Sequence, residues 1–484
     1  MSKSENELEK KIKEASEGIP EIGKVGREIE TIGILPIPNK MRNMSYASLF
    51  IFWAMASASA ATPLAGLLVY GVGIPYFIAI IFLSTIIGII PAGLFSEIGR
   101  QKPIVSLVQA RGTFGYYPAN ALSMLYTIVN MGWFGLNLAV GAQILSATSG
   151  LSFVLWAIIL GVLQIILVIF GAKWLNYFYK YTAPLLVISY AILTYYLFSA
   201  YHPDLSKLLQ PSSPINWSLD INLILSFSIL SWSYKITTVT RFAKPYNGRS
   251  VAYFLSPGLG IMLPVLLMGI LGYISQATTG NWNLAAIYKP GDPVWVIFAA
   301  IGASIAIIHT NAMNLYPAVA DLLVAVEVFF KRIKSYKISQ PISTLGLGVI
   351  STILAILGIL NYVENFLLLV GDVIFPFTFI LIVDYYFSLK NASITVFYKV
   401  TKSIGWNGVI ALAIGVALNY YDVFGVVSNY FPYQVLGSLI SALIYYLLLR
   451  MRGHDVLGRK VKGKLLSLYS REIRDIRTRS LKEP

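Results

Sequence analysis

Long apolar stretches separated by short polar, mostly basic segments organise this chain. No Asp, Glu, Lys or Arg occurs over residues 43–96, nor over 112–172. About 20 apolar residues cross a bilayer core as a helix, so each of these runs holds two spans. Pro75 divides the first and Gly150 the second. Continued along the sequence, the pattern predicts twelve transmembrane helices. They fall near 46–72, 76–97, 119–148, 152–172, 181–200, 221–243, 253–278, 293–327, 341–361, 366–387, 405–421 and 432–450. The runs lack the ten-residue apolar/polar alternation of barrel strands, which leaves helices as the spanning element.

Composition sharpens this picture. Hydrophobic residues make up 56% of the 484, charged residues 12%, and mean hydropathy is +0.69. A soluble domain carries roughly 25% charged residues, so a soluble enzyme, a nucleic-acid-binding protein and a disordered chain are all excluded. Cysteine is absent and only His202, His309 and His454 are present, which removes disulfides, thiol nucleophiles and histidine metal clusters. The formal net charge of +15 is explained by where the bases sit. With both termini placed in the cytoplasm, the tails and inner loops hold nearly all Lys and Arg, and the outer loops hold only Lys207 and Lys289. That asymmetry is the positive-inside pattern of a multi-pass cell-membrane protein, its basic groups facing anionic lipid and not nucleic acid. The polar tail 1–43 shows no cleavable signal peptide. The basic tail 451–484 carries Leu465, Leu466, Leu468, Ile473 and Ile476 at partly helical spacing, and is read as solvated or lying at the headgroups. No hydrophilic segment is long enough for a catalytic domain and no phosphate-binding loop occurs, so neither an enzyme nor an ATP-driven pump is expected.

Polar and small residues interrupt the spans at four places. In helix one, Ser57-Ala58-Ser59-Ala60-Ala61-Thr62-Pro63 occupies mid-span. Pro63 removes a helix hydrogen bond, and free carbonyls at that depth are tolerated where they line a cavity, or the segment is a close small-residue helix contact. In helix three, Trp133 and Asn137 share a face, and the amide serves an interhelical bond or a substrate. In helix six, Trp232 precedes Lys235, an intramembrane base that is a functional candidate by default; pairing with a carboxylate or carbonyls and snorkelling are the bland alternatives. In helix eight, His309, Thr310, Asn311 and Asn314 form the densest polar cluster in any span. All four lie at about one membrane depth. Two flat aromatics with amides describe a pocket for a planar, hydrogen-bonding ligand. Helices one and six, and three and eight, are each five apart, as two inverted five-helix repeats give.

Several segments in order resemble the nucleobase:cation symporter family of purine–cytosine, uracil, allantoin and hydantoin permeases. They are Arg111-Gly112-Thr113-Phe114-Gly115, Gly132-Trp133-Phe134-Gly135, Ser231-Trp232, Arg241-Phe242-Ala243-Lys244, Thr310-Asn311 with Asn314-Leu315-Tyr316, and Val383-Asp384-Tyr385. The resemblance implies a leucine-transporter-like fold, an all-α polytopic membrane protein with two inverted repeats (helices 1–5 in 44–200, helices 6–10 in 221–388) and two peripheral helices in 403–450. It implies that Trp133 and Trp232 sandwich a heterocycle, with Asn137, Asn314 and Asn311 as hydrogen-bonding contacts. It further implies a cation site between carbonyls around Ala58 and Ala61 and the helix-eight positions Ala306, His309 and Thr310. The chain departs from many members at Thr237-Thr238, where Pro-Asp is common, at Lys235, and at His309, where sodium-coupled members tend to offer a hydroxyl.

The expected function is a secondary active transporter, monomeric and without cofactor, importing a nucleobase or related planar heterocycle by alternating access. An amino-acid or organic-cation carrier of the same fold is the alternative. The coupling ion is H⁺ or Na⁺, and Lys235 and His309 shift the expectation toward protons, since burial lowers the pKa of either base. Lys235 facing an anionic substrate, or serving orientation alone, remain competing roles.

Overall fold

The computed structural model describes residues 34–245, 250–326, 336–392, 394–398, 402–424 and 429–457. Most of the tail 1–43 and most of the tail 451–484, including Leu465, Leu466, Leu468, Ile473 and Ile476, lie outside the described residues. The elements are helical, joined by turns and one isolated parallel bridge, Met44 to Ala243.

The first predicted span is two helices, α1 (Tyr46–Ser57) and α2 (Leu64–Leu68). Ser45 caps α1 by accepting from the Ser48 N–H at 3.1 Å. Residues 58–63 are non-helical, so Pro63 does interrupt the span where its missing N–H predicts. The following elements are α3 (Ile74–Gln101), α4 (Ser106–Phe114), α5 (Tyr116–Ser149), α6 (Phe153–Ile169) and α7 (Ala172–Tyr201). The sixth predicted span is broken twice, into α8 (Trp217–Phe227), α9 (Ile229–Ser233) and α10 (Ile236–Thr240). Next come α11 (Ser250–Thr279), α12 (Val294–Ile305) and α13 (Ile307–Val326). The chain closes with α14 (Tyr336–Ile356), α15 (Val363–Asp384), α16 (Ile394–Tyr398), α17 (Trp406–Tyr420) and α18 (Tyr433–Arg452). A π-helical turn, Tyr385–Leu389, continues α15.

Among the described residues, eight helical stretches are long and apolar enough to cross a bilayer, and α1, α6 and α17 are shorter apolar helices. The broken segment α8–α10 lies where the sixth span is predicted. Burial separates centre from periphery: α5 and α12–α13 are mostly buried, whereas most of α7 and α14 is not. The outer helices expose large apolar side chains such as Phe82, Ile90, Val187 and Ile188, a surface that only lipid covers favourably.

The two broken segments pack at the centre, where their freed backbone groups need partners. Thr62 donates to the Ser57 carbonyl and Ser57 Oγ to the Ile261 carbonyl at 2.7 Å. Glycines let α2 approach α11 backbone to backbone. A Cβ on Gly272 would stand 2.0 Å from the Pro63 carbonyl oxygen, and one on Gly66 would stand 2.3 Å from the Tyr273 nitrogen.

Both described ends of the chain lie on one face. Arg42 reaches the Arg100 carbonyl, Lys102 donates to the Ala392 carbonyl, and Asn407 and Lys402 bond the 453–455 segment. Arg100 and Lys402 belong to this basic face.

Candidate functional site

Where α1 stops, a small cavity opens, lined by the unwound segment, α5, the α8–α9 joint and α13. Ser59, Trp133, Asn137, Phe227, Trp232 and Thr310 are among its lining residues. The joint at Ser228 has φ −130° and ψ −110°, and this bend turns Trp232 inward. Trp133 and Trp232 are 3% and 5% exposed, and neither indole N–H has a hydrogen-bond partner in the protein. A buried N–H donor without a partner is uncommon, because leaving it unpaired costs most of its lost hydration. Both predicted aromatics therefore line one cavity and carry an unused donor. Trp133 is held edge-on by Phe227 and Phe366, with ring centroids at 6.0 and 5.3 Å. Trp232 leans on Trp53 at 5.6 Å.

The amides divide. Asn137 lines the cavity, but its Nδ2 donates back to the Trp133 carbonyl at 2.8 Å and its Oδ1 accepts from Ser59 Oγ at 3.2 Å. Asn137 thus ties the break in helix one to α5 while standing at the cavity wall. Asn311 and Asn314 are fully buried behind it. Asn311 Nδ2 donates to the Phe134 carbonyl at 3.1 Å and to Gln164 Oε1 at 2.7 Å. Asn314 Nδ2 donates to Asn311 Oδ1 at 3.4 Å, and Asn314 Oδ1 accepts from Lys235 Nζ at 3.3 Å.

The candidate cation-site residues are also partly gathered. Ala58, Ala61 and Ala306 share one buried cluster, with Ala306 at the joint between α12 and α13. Thr310 Oγ1 donates to the Ala56 carbonyl at 2.6 Å, fastening α13 to the last turn of α1. His309 is turned the other way: its Nε2 meets Thr182 Oγ1 on α7, and its carbonyl accepts from Tyr179 at 2.6 Å. Lys235 lies apart from this group, with Nζ 5.5 Å from the Trp232 ring centroid.

Sequence reasoning missed Trp53, Phe227 and Phe366, whose apolar character inside apolar spans gave no signal. It also missed Asn130 and Asp321, which meet near Lys235. A signal existed for Asp321, a carboxylate inside the predicted span 293–327.

Residues 36–441 match the family model described as permease for cytosine/purines, uracil, thiamine, allantoin. A putative purine-cytosine permease of Bacillus subtilis is 25% identical over 469 residues, covering 88% of this chain and 97% of that protein. The cytosine permease of Escherichia coli K12 is 24% identical over 419 residues, covering 84% and 92%. Among solved structures, Mhp1, a nucleobase-cation-symport-1 family transporter in a closed conformation with bromovinylhydantoin bound, superposes with a TM-score of 0.73. Its sequence identity is 19%, and the match covers 90% of this chain and 98% of that one. The likeness establishes the leucine-transporter-like fold.

Proposed function

The chain belongs to the family of permeases for cytosine/purines, uracil, thiamine and allantoin, and we propose that this membrane transporter imports a nucleobase or closely related planar heterocycle. Its cycle is alternating access coupled to inward movement of H⁺ or Na⁺, run by a monomer with both termini in the cytoplasm. The repeats 44–200 and 221–388 move against one another, with 403–450 peripheral. One observation carries the substrate class: two buried indoles, Trp133 and Trp232, line a single cavity with unpartnered N–H groups. A planar ring takes up the π faces by stacking. Asn137 and the Ser59 hydroxyl read its edge, while Asn311 and Asn314 fix the wall behind it. The names of the B. subtilis and E. coli relatives support the same class.

Coupling is assigned to the joint between helix one and α13, comprising Ala58, Ala61, Ala306, His309 and Thr310, with Lys235 as a second charged participant. An inward-moving positive charge gains about 2.3 kcal/mol per 100 mV of membrane potential. The test is a thermal-shift and uptake-competition screen of cytosine, uracil, hypoxanthine, allantoin and hydantoin, with and without sodium, in acidic and neutral buffer. Stabilisation by at least one heterocycle that also competes for uptake is expected. No response to any of them, with a response to aliphatic amino acids instead, would overturn the reading.

A further inference from the structure

Asp321 lies seven residues beyond Asn314 on α13, on the same helix face and roughly 10 Å nearer the basic face. It is 3% exposed, and Lys235 is 1% exposed. A buried acid and a buried base ordinarily close into direct contact, because each is costly alone. These two do not. Lys235 Nζ donates to Asn314 Oδ1 at 3.3 Å, while Asp321 Oδ2 accepts from Asn130 Nδ2 at 3.1 Å. They are nevertheless near enough to act on each other electrostatically.

The bridging amides lead to the substrate cavity. Asn314 is bonded to Asn311 behind the cavity wall, and Asn130 stands one turn before Trp133 on α5, with its Nδ2 also donating to the Tyr234 hydroxyl at 3.0 Å. Asn130 Oδ1 and the Tyr126 hydroxyl have no protein partner. The other groups on the packed elements are few. Arg111 of α4 holds the Val324 carbonyl at 3.4 Å, and Arg241 at the end of α10 holds the Tyr316 hydroxyl at 3.2 Å. From α6 comes Gln164, from α7 Tyr179, and from α14 Gln340 and Thr344, all uncharged amides or hydroxyls. His309 is twelve residues away on α13 itself and faces Thr182.

We propose that Asp321 is the proton-carrying carboxylate of the transport cycle and that Lys235 is its partner charge, reporting the state of the substrate wall through Asn314. This rests on the transporter reading above. The step is a proton exchange alone. A proton from water on the outer side adds to a carboxylate oxygen of Asp321, giving the neutral acid. The same proton leaves from that oxygen to water on the basic face, and no other bond forms or breaks. One positive charge crosses per cycle. With Asp321 ionised, the pair carries no net charge and Lys235 is drawn toward it. With Asp321 protonated that pull is gone, and the ammonium stays on Asn314. Sealing of the pair from both faces keeps the proton from leaking through.

Two measurements on the full-length protein test this. The first needs no substrate: infrared difference spectra between acidic and alkaline buffer contain a carboxylic-acid band that Asp321→Asn removes. The second uses proteoliposomes and the first of cytosine, uracil, hypoxanthine or allantoin found to bind the wild type. One proton per substrate supports roughly 50-fold accumulation per 100 mV. Asp321→Asn reduces that ratio to about one, while substrate exchange across the membrane without a gradient stays within about twofold of wild type. If Asp321→Asn fails to fold, Asp321→Glu decides by a displaced pH profile of uptake, and an unchanged profile refutes the assignment. Wild-type uptake that follows sodium at constant pH, or an infrared band that survives Asp321→Asn, overturns it. If no heterocycle binds the wild type, the substrate reading falls and the infrared band still decides the fate of Asp321.

Discussion

Trp232→Ala separates the binding role of the indole from its packing role. The side chain is 5% exposed, sits 5.6 Å from Trp53 and lines the cavity with a free N–H. Stacking of a base on an aromatic face is worth roughly 1–3 kcal/mol. That corresponds to a dissociation constant weaker by about 5- to 150-fold. Truncation also removes core packing, at about 3–5 kcal/mol of stability. Trp232→Phe is therefore the companion variant: it keeps a ring against Trp53 and loses only the donor and part of the face, so about tenfold weaker binding is expected. The assay is calorimetric titration of purified protein in detergent with whichever heterocycle the screen identifies, using material that elutes as a single folded species. Trp133→Ala is measured beside it. Wild-type affinity in both alanine variants would place the ligand elsewhere and refute the cavity assignment.

Three further outcomes are expected. Gly272→Ala puts a methyl 2.0 Å from the Pro63 carbonyl oxygen, where ordinary contact begins near 3.4 Å, so the two helices must part by more than an ångström. It should lower stability by about 1–3 kcal/mol and weaken substrate binding with it; an unaltered melting temperature would contradict the close contact. His454, just beyond α18, is buried against Asp384 at 3.1 Å; burial lowers its pKa, and the carboxylate outweighs that and raises it above the ordinary value. A raised folded-state value gives stability that is complete below about pH 6.5 and fades as pH climbs through the folded value. Melting temperature should fall on going from mildly acidic to alkaline buffer, and His454→Asn should flatten that dependence. Because the native chain has no cysteine, single cysteines can be labelled without background. An impermeant maleimide on intact cells should reach Ser206→Cys in the outer loop and spare Ser403→Cys on the basic face, and the reverse pattern would invert the topology.

The spans were legible because lipid imposes a strong, local demand: every stretch of sufficient apolar length must satisfy its own backbone. The break in helix one was legible for a similar reason, since Pro63 carries its consequence with it. The second break, at Ser228, was not. Its sequence, Ser226-Phe227-Ser228-Ile229, contains no proline or glycine; Ser228 Oγ bonds back to the Ile224 carbonyl one turn earlier and reaches Met262 of α11, a contact far away in sequence. Likewise the one-sided distribution of basic residues predicts both ends on one face, whereas the contacts along that face, such as Lys102 to Ala392, join residues far apart in sequence.

Within the site, legibility followed how many ways a side chain can be satisfied. An indole at mid-membrane has one donor and a large flat body, so its presence there already narrows its purpose, and both tryptophans line one cavity. An amide has two donors and an acceptor and accepts many partners. Which partner it finds depends on helices that sequence alone does not juxtapose. Asn137 bonds Ser59 across the break, Asn311 bonds Gln164 of α6, and Asn314 receives Lys235. The lysine shows the same limit. Its depth marked it as costly, but the carboxylate acting on it, Asp321, sits on α13, a different helix that sequence alone does not bring beside it. The polar candidates marked by their depth, Asn137, Lys235, His309, Thr310, Asn311 and Asn314, are all buried. Rotation of one helix against another decided which of them face the cavity and which brace its wall, and that angle is a property of the packed bundle.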